Sequence, residues 1–388
     1  MLKPLVKYIF NMSIAKAMSF IFSIILYFKL SKSDYGTIQY FLSIGALFFT
    51  PFIDSLADLK IISGHINLVK YSIHKRIISF LISIIFIFTC YFLKQNLFIP
   101  SCLAIYFFAL VNRAINIAYL RKKCFFEGEK RVMYLEKSLP LLLLGAIYFS
   151  HGSVSINLAI ICLSLSSVAS VILSFKEKEK AQKINRVETI EKNQNSELKQ
   201  IFYSLLAGYF MAAYFKVDQV MIVHILSEVE LANYALSLKV LDAIFIIPGL
   251  IMAYYFPHFS TEFNHPSKKK LFLKVLKWFF LLGITLCVVY ILIIKSVGTP
   301  YLPAVAYNGI LSLIILVVTI GHLVTQSLVA LNREKSLALI AGASLCLNIF
   351  LNFIWLKNGV YFAALSTLIT EIAVTIFSLI ICIKDISK

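Results

Sequence analysis

The chain has 388 residues, 60% of them hydrophobic and 14% charged, with 37 Lys and Arg against 19 Asp and Glu. A soluble domain is roughly 45–50% apolar and about 25% charged, so this composition excludes a water-covered globule and requires lipid over much of the surface. The net charge of +18 does not mark a nucleic-acid binder, because the basic residues fall in short segments between apolar stretches and form no phosphate-tracking face.

Apolar stretches long enough to cross a hydrocarbon core about 30 Å thick recur from end to end. They lie at 8–29, 37–59, 77–94, 99–120, 133–150, 154–175, 201–224, 232–256, 276–295, 305–331, 337–356 and 360–383. Barrel strands would be half as long and would alternate apolar with polar residues, so the predicted elements are twelve transmembrane helices. The first stretch is too long for a cleavable signal and is interrupted by Lys16, so it reads as a retained span. Seven cysteines (Cys90, Cys102, Cys124, Cys162, Cys287, Cys346, Cys382) are scattered without a CxxC pair. They suggest neither a disulfide framework nor a zinc site, and no metal or cofactor is expected.

Lys and Arg set the orientation. With the N-terminus inside, 28 of them fall in cytoplasmic segments, five in outside loops and four within spans. That bias places both termini in the cytoplasm and requires an even number of spans. The longest polar segment, 176–200, lies at mid-chain and mixes seven basic with five acidic residues, the pattern of a solvated connector. It divides the chain into an N-terminal bundle (1–175), a cytoplasmic linker (176–200) and a C-terminal bundle (201–388).

The two halves look alike. Leu30–Phe52 and Leu226–Pro248 each begin with Leu-Ser and a short acidic loop, then carry a proline some twenty residues on, Pro51 and Pro248. Six spans per half is an even number, so both halves insert the same way up. The expected fold is all-α and polytopic: two parallel-repeat six-helix bundles around a central cavity, a layout typical of transporters.

Several charges stand where lipid would penalise them. A charge at the bilayer centre costs about 2.5–3.5 kcal/mol on insertion scales. The sequence places Lys16 in span 1, Asp54 and Asp58 in span 2, Arg113 in span 4, Lys216 and Asp218 in span 7, Lys239 and Asp242 in span 8, and Glu371 in span 12. Their neighbours form polar stripes at helical spacing. Ser13, Lys16, Ser19 and Ser23 make one; Asn112, Arg113 and Asn116 cluster in another. Thr319, His322 and Gln326 line up in span 10, Ser344, Asn348 and Asn352 in span 11, and Thr367, Glu371, Thr375 and Ser378 in span 12. Spans 3, 5, 6 and 9 show no comparable stripe and read as scaffold.

Some of these residues admit two readings. Lys239 and Asp242, three apart, are spaced either to neutralise each other or to line a path. Asn348 and Asn352 suit interhelical packing as well as a lumen, Asp58 suits the cytoplasmic interface, and His322 divides between packing and function. Lys16, Arg113 and Lys216 have no acidic residue one helical turn away on the same face, so each needs a partner from another span or from a ligand. No GxSxG, HExxH, Walker A or GxGxxG pattern occurs, and no outside loop is long enough to house catalytic groups, so a transporter is expected and not an enzyme.

Two stretches carry a resemblance. One is KLSKSDYGTIQYFLSIGALFFTPFIDSLADL at 29–59; the other is YFKVDQVMIVHILSEVELANYALSLKVLDAIFIIPGLIMAYYFPHFS at 214–260. With the twelve-span layout, they resemble the Wzx-type O-antigen and capsule polysaccharide flippases of the MOP superfamily, which are related to MATE exporters. Asp218, Tyr234-Ala235, Lys239 and Pro257 match that pattern. Asp54 to Asp58 departs from it, since the family usually has Gly near the end of span 2. The resemblance implies that undecaprenyl-diphosphate-linked oligosaccharide is moved between leaflets of a bacterial inner membrane, by rocking of the halves. A glycan polymerase or assembly protein is an implied partner. Under this reading Lys16, Arg113, Lys216 and Lys239 would bind anionic cargo. Asp54, Asp218, Asp242 or Glu371 would couple transport to H+ or Na+, and Asn116, His322 and Asn348 would line the lumen. The alternatives are a MATE-type cation-coupled drug or metabolite antiporter and a membrane glycan polymerase or glycosyltransferase.

Overall fold

In hydrocarbon every backbone N–H and C=O must find its partner within the spanning segment, which leaves the helix as the available form for these stretches. The computed structural model describes residues 2–53, 68–94, 97–123, 125–184, 195–262, 268–297 and 302–386. Twelve long helices follow one another: α1 (Leu2–Lys29), α2 (Lys32–Ile53), α3 (Leu68–Lys94), α4 (Phe98–Lys122), α5 (Phe126–His151), α6 (Ile156–Ile184), α7 (Asn195–Ile225), α8 (Glu228–Glu262), α9 (Lys268–Val297), α10 (Leu302–Ala330), α11 (Glu334–Trp355) and α12 (Tyr361–Ile386). Among the described residues there is no strand, and each helix contains a segment long and apolar enough to cross a membrane. The chain is a multi-pass membrane protein. Asp54, Asp58 and the side chain of Pro257 lie outside the described residues.

The helices overrun the apolar stretches. α5 starts at Phe126, where hydropathy places the span from 133, and α6 continues to Ile184 into the segment expected as a linker. Past the hydrocarbon, pairs one turn apart support the extra turns: Lys130–Glu127 at 2.6 Å and Lys180–Glu177 at 2.8 Å.

The Leu-Ser pairs that suggested a repeat are helix caps. Two residues connect α1 to α2 and two connect α7 to α8. Ser31 Oγ accepts the Asp34 N–H at 3.0 Å, and Ser227 Oγ accepts the Glu230 N–H at 3.2 Å, each satisfying one of the helix's orphan donors.

The chain separates into two compact units, Phe10–Ala212 (the N-terminal unit) and Met1–Ile9 with Ala213–Lys388 (the C-terminal unit). In the N-terminal unit α4 is central: it packs on α6, α3 and α2, while α5 packs on α6. In the C-terminal unit α10 takes the same place, against α12, α9 and α8, while α11 packs on α12. The fourth helix of each half therefore forms the core. Of the spanning windows, 67% of α4 and of α10 is buried, against 22% of α3 and of α9. A helix covered all round needs no polar face, whereas α3 turns Ile73, Ile77, Phe80, Ile84 and Phe88 outward at helical spacing.

Candidate functional site

Each unit buries a polar cluster. In the N-terminal unit the cluster forms where α1, α4 and α5 meet. α1 is tied to α5 near one end by the Tyr134 hydroxyl, which donates to Asn11 Oδ1 at 3.1 Å, and near the other by Lys29 Nζ, which donates to Tyr148 Oη at 2.9 Å. Between these ties Arg113 of α4 meets Glu136 of α5 in an ion pair through Nη1 and Oε2. Lys137 Nζ lies 2.6 Å from the other oxygen of Glu136. Lys16 of α1 lies within electrostatic reach of the same carboxylate. Arg113 Nη1 also contacts Met133 Sδ at 3.4 Å, while its Nε is buried without a hydrogen-bond partner.

Glu136 lies three residues into the apolar run that begins at 133, about 4.5 Å along the axis, so the pair sits toward one end of span 5. A buried pair holds only while both members remain, because removing one strands the other. Pro140 of the same helix has no N–H to give to the carbonyl of Glu136 four residues earlier, which leaves that acceptor outside the helical ladder.

Span 5 was expected to be scaffold, yet it supplies Glu136 and Lys137. They stand within the first five residues of the apolar run that begins at 133, where a charge reads as the end of the basic inner segment. The acidic first turn of α5, Glu127 and Glu129, marks a helix start seven residues earlier. Span 6 also differs from expectation: α6 buries Ser164, Ser166, Ser167, Ser170 and Ser174. These serines pack helices together. Asn116 Nδ2 donates to Ser174 Oγ at 2.8 Å, and Ser164 Oγ donates to the Cys102 carbonyl of α4 at 2.8 Å. The buried serines of α3, Ser72, Ser79 and Ser83, likewise give a polar inner face to span 3.

The C-terminal unit gathers two carboxylates. Asp218 of α7 is 1% exposed. Its Oδ2 accepts the Tyr234 hydroxyl of α8 at 3.0 Å and the Thr367 hydroxyl of α12 at 3.3 Å, and its Oδ1 accepts the Gln219 N–H at 2.7 Å. Tyr214 lies one turn before Asp218, and Glu371 one turn after Thr367. The Tyr214 phenol interacts with the buried Glu371 carboxyl, whose Oε1 has no hydrogen-bond partner. Glu371 thus offers an unsatisfied carboxyl oxygen beside the Tyr214 phenol, and Asp218 a carboxyl held by three donors; a buried carboxyl of either kind can take up a proton. Among the described residues no group of three or more His, Cys, Asp or Glu is placed to hold a metal ion.

The other expected residues are more dispersed. Lys216 Nζ lies 4.0 Å from Asp242 Oδ2, and the Asp242 side chain is 49% exposed, so Lys216 finds its acidic partner on another span. His322 of α10 packs beside Gly249 of α8. Asn348 is fully buried and accepts from Asn352 Nδ2 at 2.9 Å. Thr367 stands in the polar stripe of span 12 and Tyr234 in the stretch that carries the resemblance, but the sequence gives neither a role at the site; Tyr214, at the head of that stretch, reads as packing in an apolar span.

No family model matches the sequence, and no curated protein matches it. Solved structures do. The chain is similar to a MATE transporter in a bent conformation at 10% identity and TM-score 0.68, covering 99% of this chain and 95% of that one. It is similar to multidrug resistance MATE family transporters of the MOP superfamily, outward-facing (12% identity, TM-score 0.67, 98% and 96% covered) and inward-facing (9%, 0.63, 99% and 94%). It is also similar to a MOP superfamily transporter from Pyrococcus furiosus Vc1 whose binding pocket has reverse polarity, suggesting a different function (12%, 0.64, 99% and 95%). At these identities the likeness is one of fold: the chain has the architecture of MATE transporters of the MOP superfamily.

Proposed function

We propose that the chain is a transporter that moves an undecaprenyl-diphosphate-linked oligosaccharide across a bacterial inner membrane by alternating access, with both termini cytoplasmic. The observation that carries this reading is the N-terminal cluster: Arg113, Lys137 and Lys16 lie around a single buried carboxylate, Glu136. A cationic excess in a low-dielectric setting attracts an anionic headgroup strongly. Fold alone does not choose the cargo, and pocket polarity differs even between transporters of this architecture. Lys216 and Lys239 are assigned to cargo binding with Arg113 and Lys16. Asp218 and Glu371 are assigned to coupling by H+ or Na+, with Asp242 on the half-exposed Lys216 pair in support. The six-span halves, 1–175 and 201–388, with the segment 176–200 between them, are the moving bodies of this reading, and no catalytic step is assigned to any residue. A glycan polymerase or assembly protein would take up the delivered unit.

The test is translocation of a fluorescent lipid-diphosphate oligosaccharide in proteoliposomes with an imposed H+ or Na+ gradient. Gradient-accelerated movement that Arg113→Gln abolishes is the expected result; no movement above protein-free liposomes sinks the reading.

A second reading is favoured by the buried carboxyls of Asp218 and Glu371 and by the shared fold: a cation-coupled antiporter of drugs or metabolites. Extrusion of a cationic dye from the same proteoliposomes, with the glycolipid left in place, would establish it instead.

A further inference from the structure

At one end of the N-terminal unit the buried carboxylates are already taken. Glu177 of α6 pairs with Lys180 and Arg131, and Glu129 of α5 pairs with Arg121. Two further cations there, Arg76 of α3 and Lys178 of α6, pair with no carboxylate among the described residues. Each stands instead on an aromatic ring. The Arg76 guanidinium lies 5.3 Å from the ring centroid of Phe175 of α6, and Lys178 Nζ lies 5.4 Å from that of Tyr119 of α4. The two cations are within electrostatic reach of each other. A ring holds a cation in place but supplies no net counter-charge, so two like charges are gathered where α3, α4 and α6 meet. Arg76 Nε is covered and has no hydrogen-bond partner, unlike the great majority of buried donors. Stacking on a ring leaves the in-plane donors of a guanidinium available to phosphate oxygens.

Arg76 immediately precedes the apolar stretch 77–94, and Lys178 follows the stretch 154–175 by three residues, so both stand at headgroup level. From there the same helices turn apolar rows outward into hydrocarbon: Phe80 and Ile84 of α3, one and two turns on from Arg76, and Ile172 and Val168 of α6, one and two turns back from Phe175. We infer that Arg76 and Lys178 bind the phosphate of an anionic phospholipid where α3, α4 and α6 meet, with its acyl chains along these rows. Basic residues at a span end ordinarily follow from orientation alone and stand in water. These two are held on rings at a three-helix junction, the form of basic pocket between spans that takes an acidic lipid headgroup. A zwitterionic headgroup brings its own ammonium to two uncompensated cations, so a headgroup with net negative charge is selected. α3 packs on α4 and α2, and the bound lipid would also tie it to α6. The site is separate from the cargo reading. Only the leaflet, cytoplasmic in the orientation proposed above, rests on that reading.

The experiment is native mass spectrometry of the purified full-length protein in detergent, titrated with phosphatidylglycerol and, separately, with phosphatidylcholine of the same acyl chains. Wild type is expected to retain one phosphatidylglycerol about tenfold more tightly than phosphatidylcholine, since each cation near an anionic headgroup contributes roughly fivefold. The double variant Arg76→Gln/Lys178→Gln should lose that preference, and Arg76→Lys should keep part of it. The control is Lys274→Gln/Lys277→Gln, which removes two exposed charges at the start of α9 and should bind as wild type. Equal affinity of wild type for the two lipids overturns the inference. So does a folded Arg76→Gln/Lys178→Gln that still prefers phosphatidylglycerol, or a control that loses as much, which would make the preference one of general surface charge. Displacement of the lipid by glycerol phosphate at matched ionic strength would overturn the lipid in favour of a soluble phosphate. Should the double variant fail to fold, the wild-type protein decides. A photoactivatable phosphatidylglycerol must label peptides of α3 or α6, and labelling confined to other helices overturns the site. Loss of the lipid preference with glycolipid translocation intact would remove this site and leave the cargo reading; the converse would remove the cargo and leave the site.

Discussion

The phenol of Tyr234 donates to Asp218 Oδ2 at 3.0 Å and so joins α8 to α7 inside the C-terminal unit. A hydrogen bond to a charged group is worth about 1.5–3 kcal/mol, and Asp218 keeps Thr367 and the Gln219 N–H when the phenol is lost. Tyr234→Phe is therefore expected to slow gradient-driven transport by roughly tenfold, one decade per 1.4 kcal/mol, while Asp218→Asn abolishes the response to the gradient. Rates in proteoliposomes with and without an imposed H+ or Na+ gradient check this. A wild-type gradient response in Asp218→Asn would remove Asp218 from coupling.

Glu371 tests the same cluster from α12. Its Oε1 is buried without a partner, so an amide in its place presents a donor or acceptor of the same size but cannot take up a proton or a cation by charge. Glu371→Gln is expected to fold and to lose more than about tenfold in coupled transport, a loss of roughly 1.4 kcal/mol or more. Retention of full coupling with Gln at 371 would confine the carboxylate's role to packing.

Two Arg–carboxylate pairs separate the effects of depth. Arg333 donates to Asp385 through Nε at 2.6 Å and Nη2 at 3.0 Å, with the Arg333 side chain 47% exposed. Despite its good geometry, an exposed pair contributes about 1 kcal/mol or less. Breaking the buried Arg113–Glu136 pair strands a charge and costs about 3–5 kcal/mol. Arg113→Gln should thus lower the unfolding free energy in detergent several times more than Arg333→Gln does. Equal losses would mean that water reaches Arg113 freely.

Gly45 of α2 faces the Phe107 ring of α4, and a Cβ at 45 would overlap that ring. The ring cannot step aside, because it stacks on Phe49 with centroids 5.1 Å apart and meets Phe86 edge-on at 6.1 Å. Gly45→Ala should destabilise by about 1–3 kcal/mol, the usual cost of overpacking. Phe107→Leu added to it should recover part of that loss. A thermal midpoint unmoved by Gly45→Ala would show that α2 and α4 separate easily.

Asn116 sits in a stripe expected to line the lumen, and it is fully buried against Ser174 of α6. Interhelical hydrogen bonds of this kind average about 0.6 kcal/mol and reach about 1.7. Asn116→Ala is expected to cost stability in that range and to leave the transport rate within about twofold, an effect well under 1 kcal/mol. A tenfold loss of rate in the folded variant would return Asn116 to the lumen.

The fold was legible because lipid imposes simple rules. Length and apolarity alone locate spans, and the twelve helices appear in the expected order. The buried charges were legible too: Arg113, Asp218 and Glu371 are costly in any apolar span, so each stood out without knowledge of a partner. Residues with a partner one position away, or with an apolar body, did not stand out. Glu136-Lys137 reads as a neutral step at a span boundary, and Tyr214 reads as packing.

The sequence by itself determined that the chain spans a membrane in twelve helices, repeats its plan in two halves and carries charges at membrane depth. Only the tertiary structure decided which charges meet: Arg113 with Glu136 and Lys137, Lys216 with Asp242, and Asp218 with Tyr234 and Thr367. The reason is physical. Span formation is a local matter of transfer from water to lipid, settled residue by residue. The partner of a buried charge depends on which helices pack around α4 and α10, and that packing is fixed by contacts far apart in the chain.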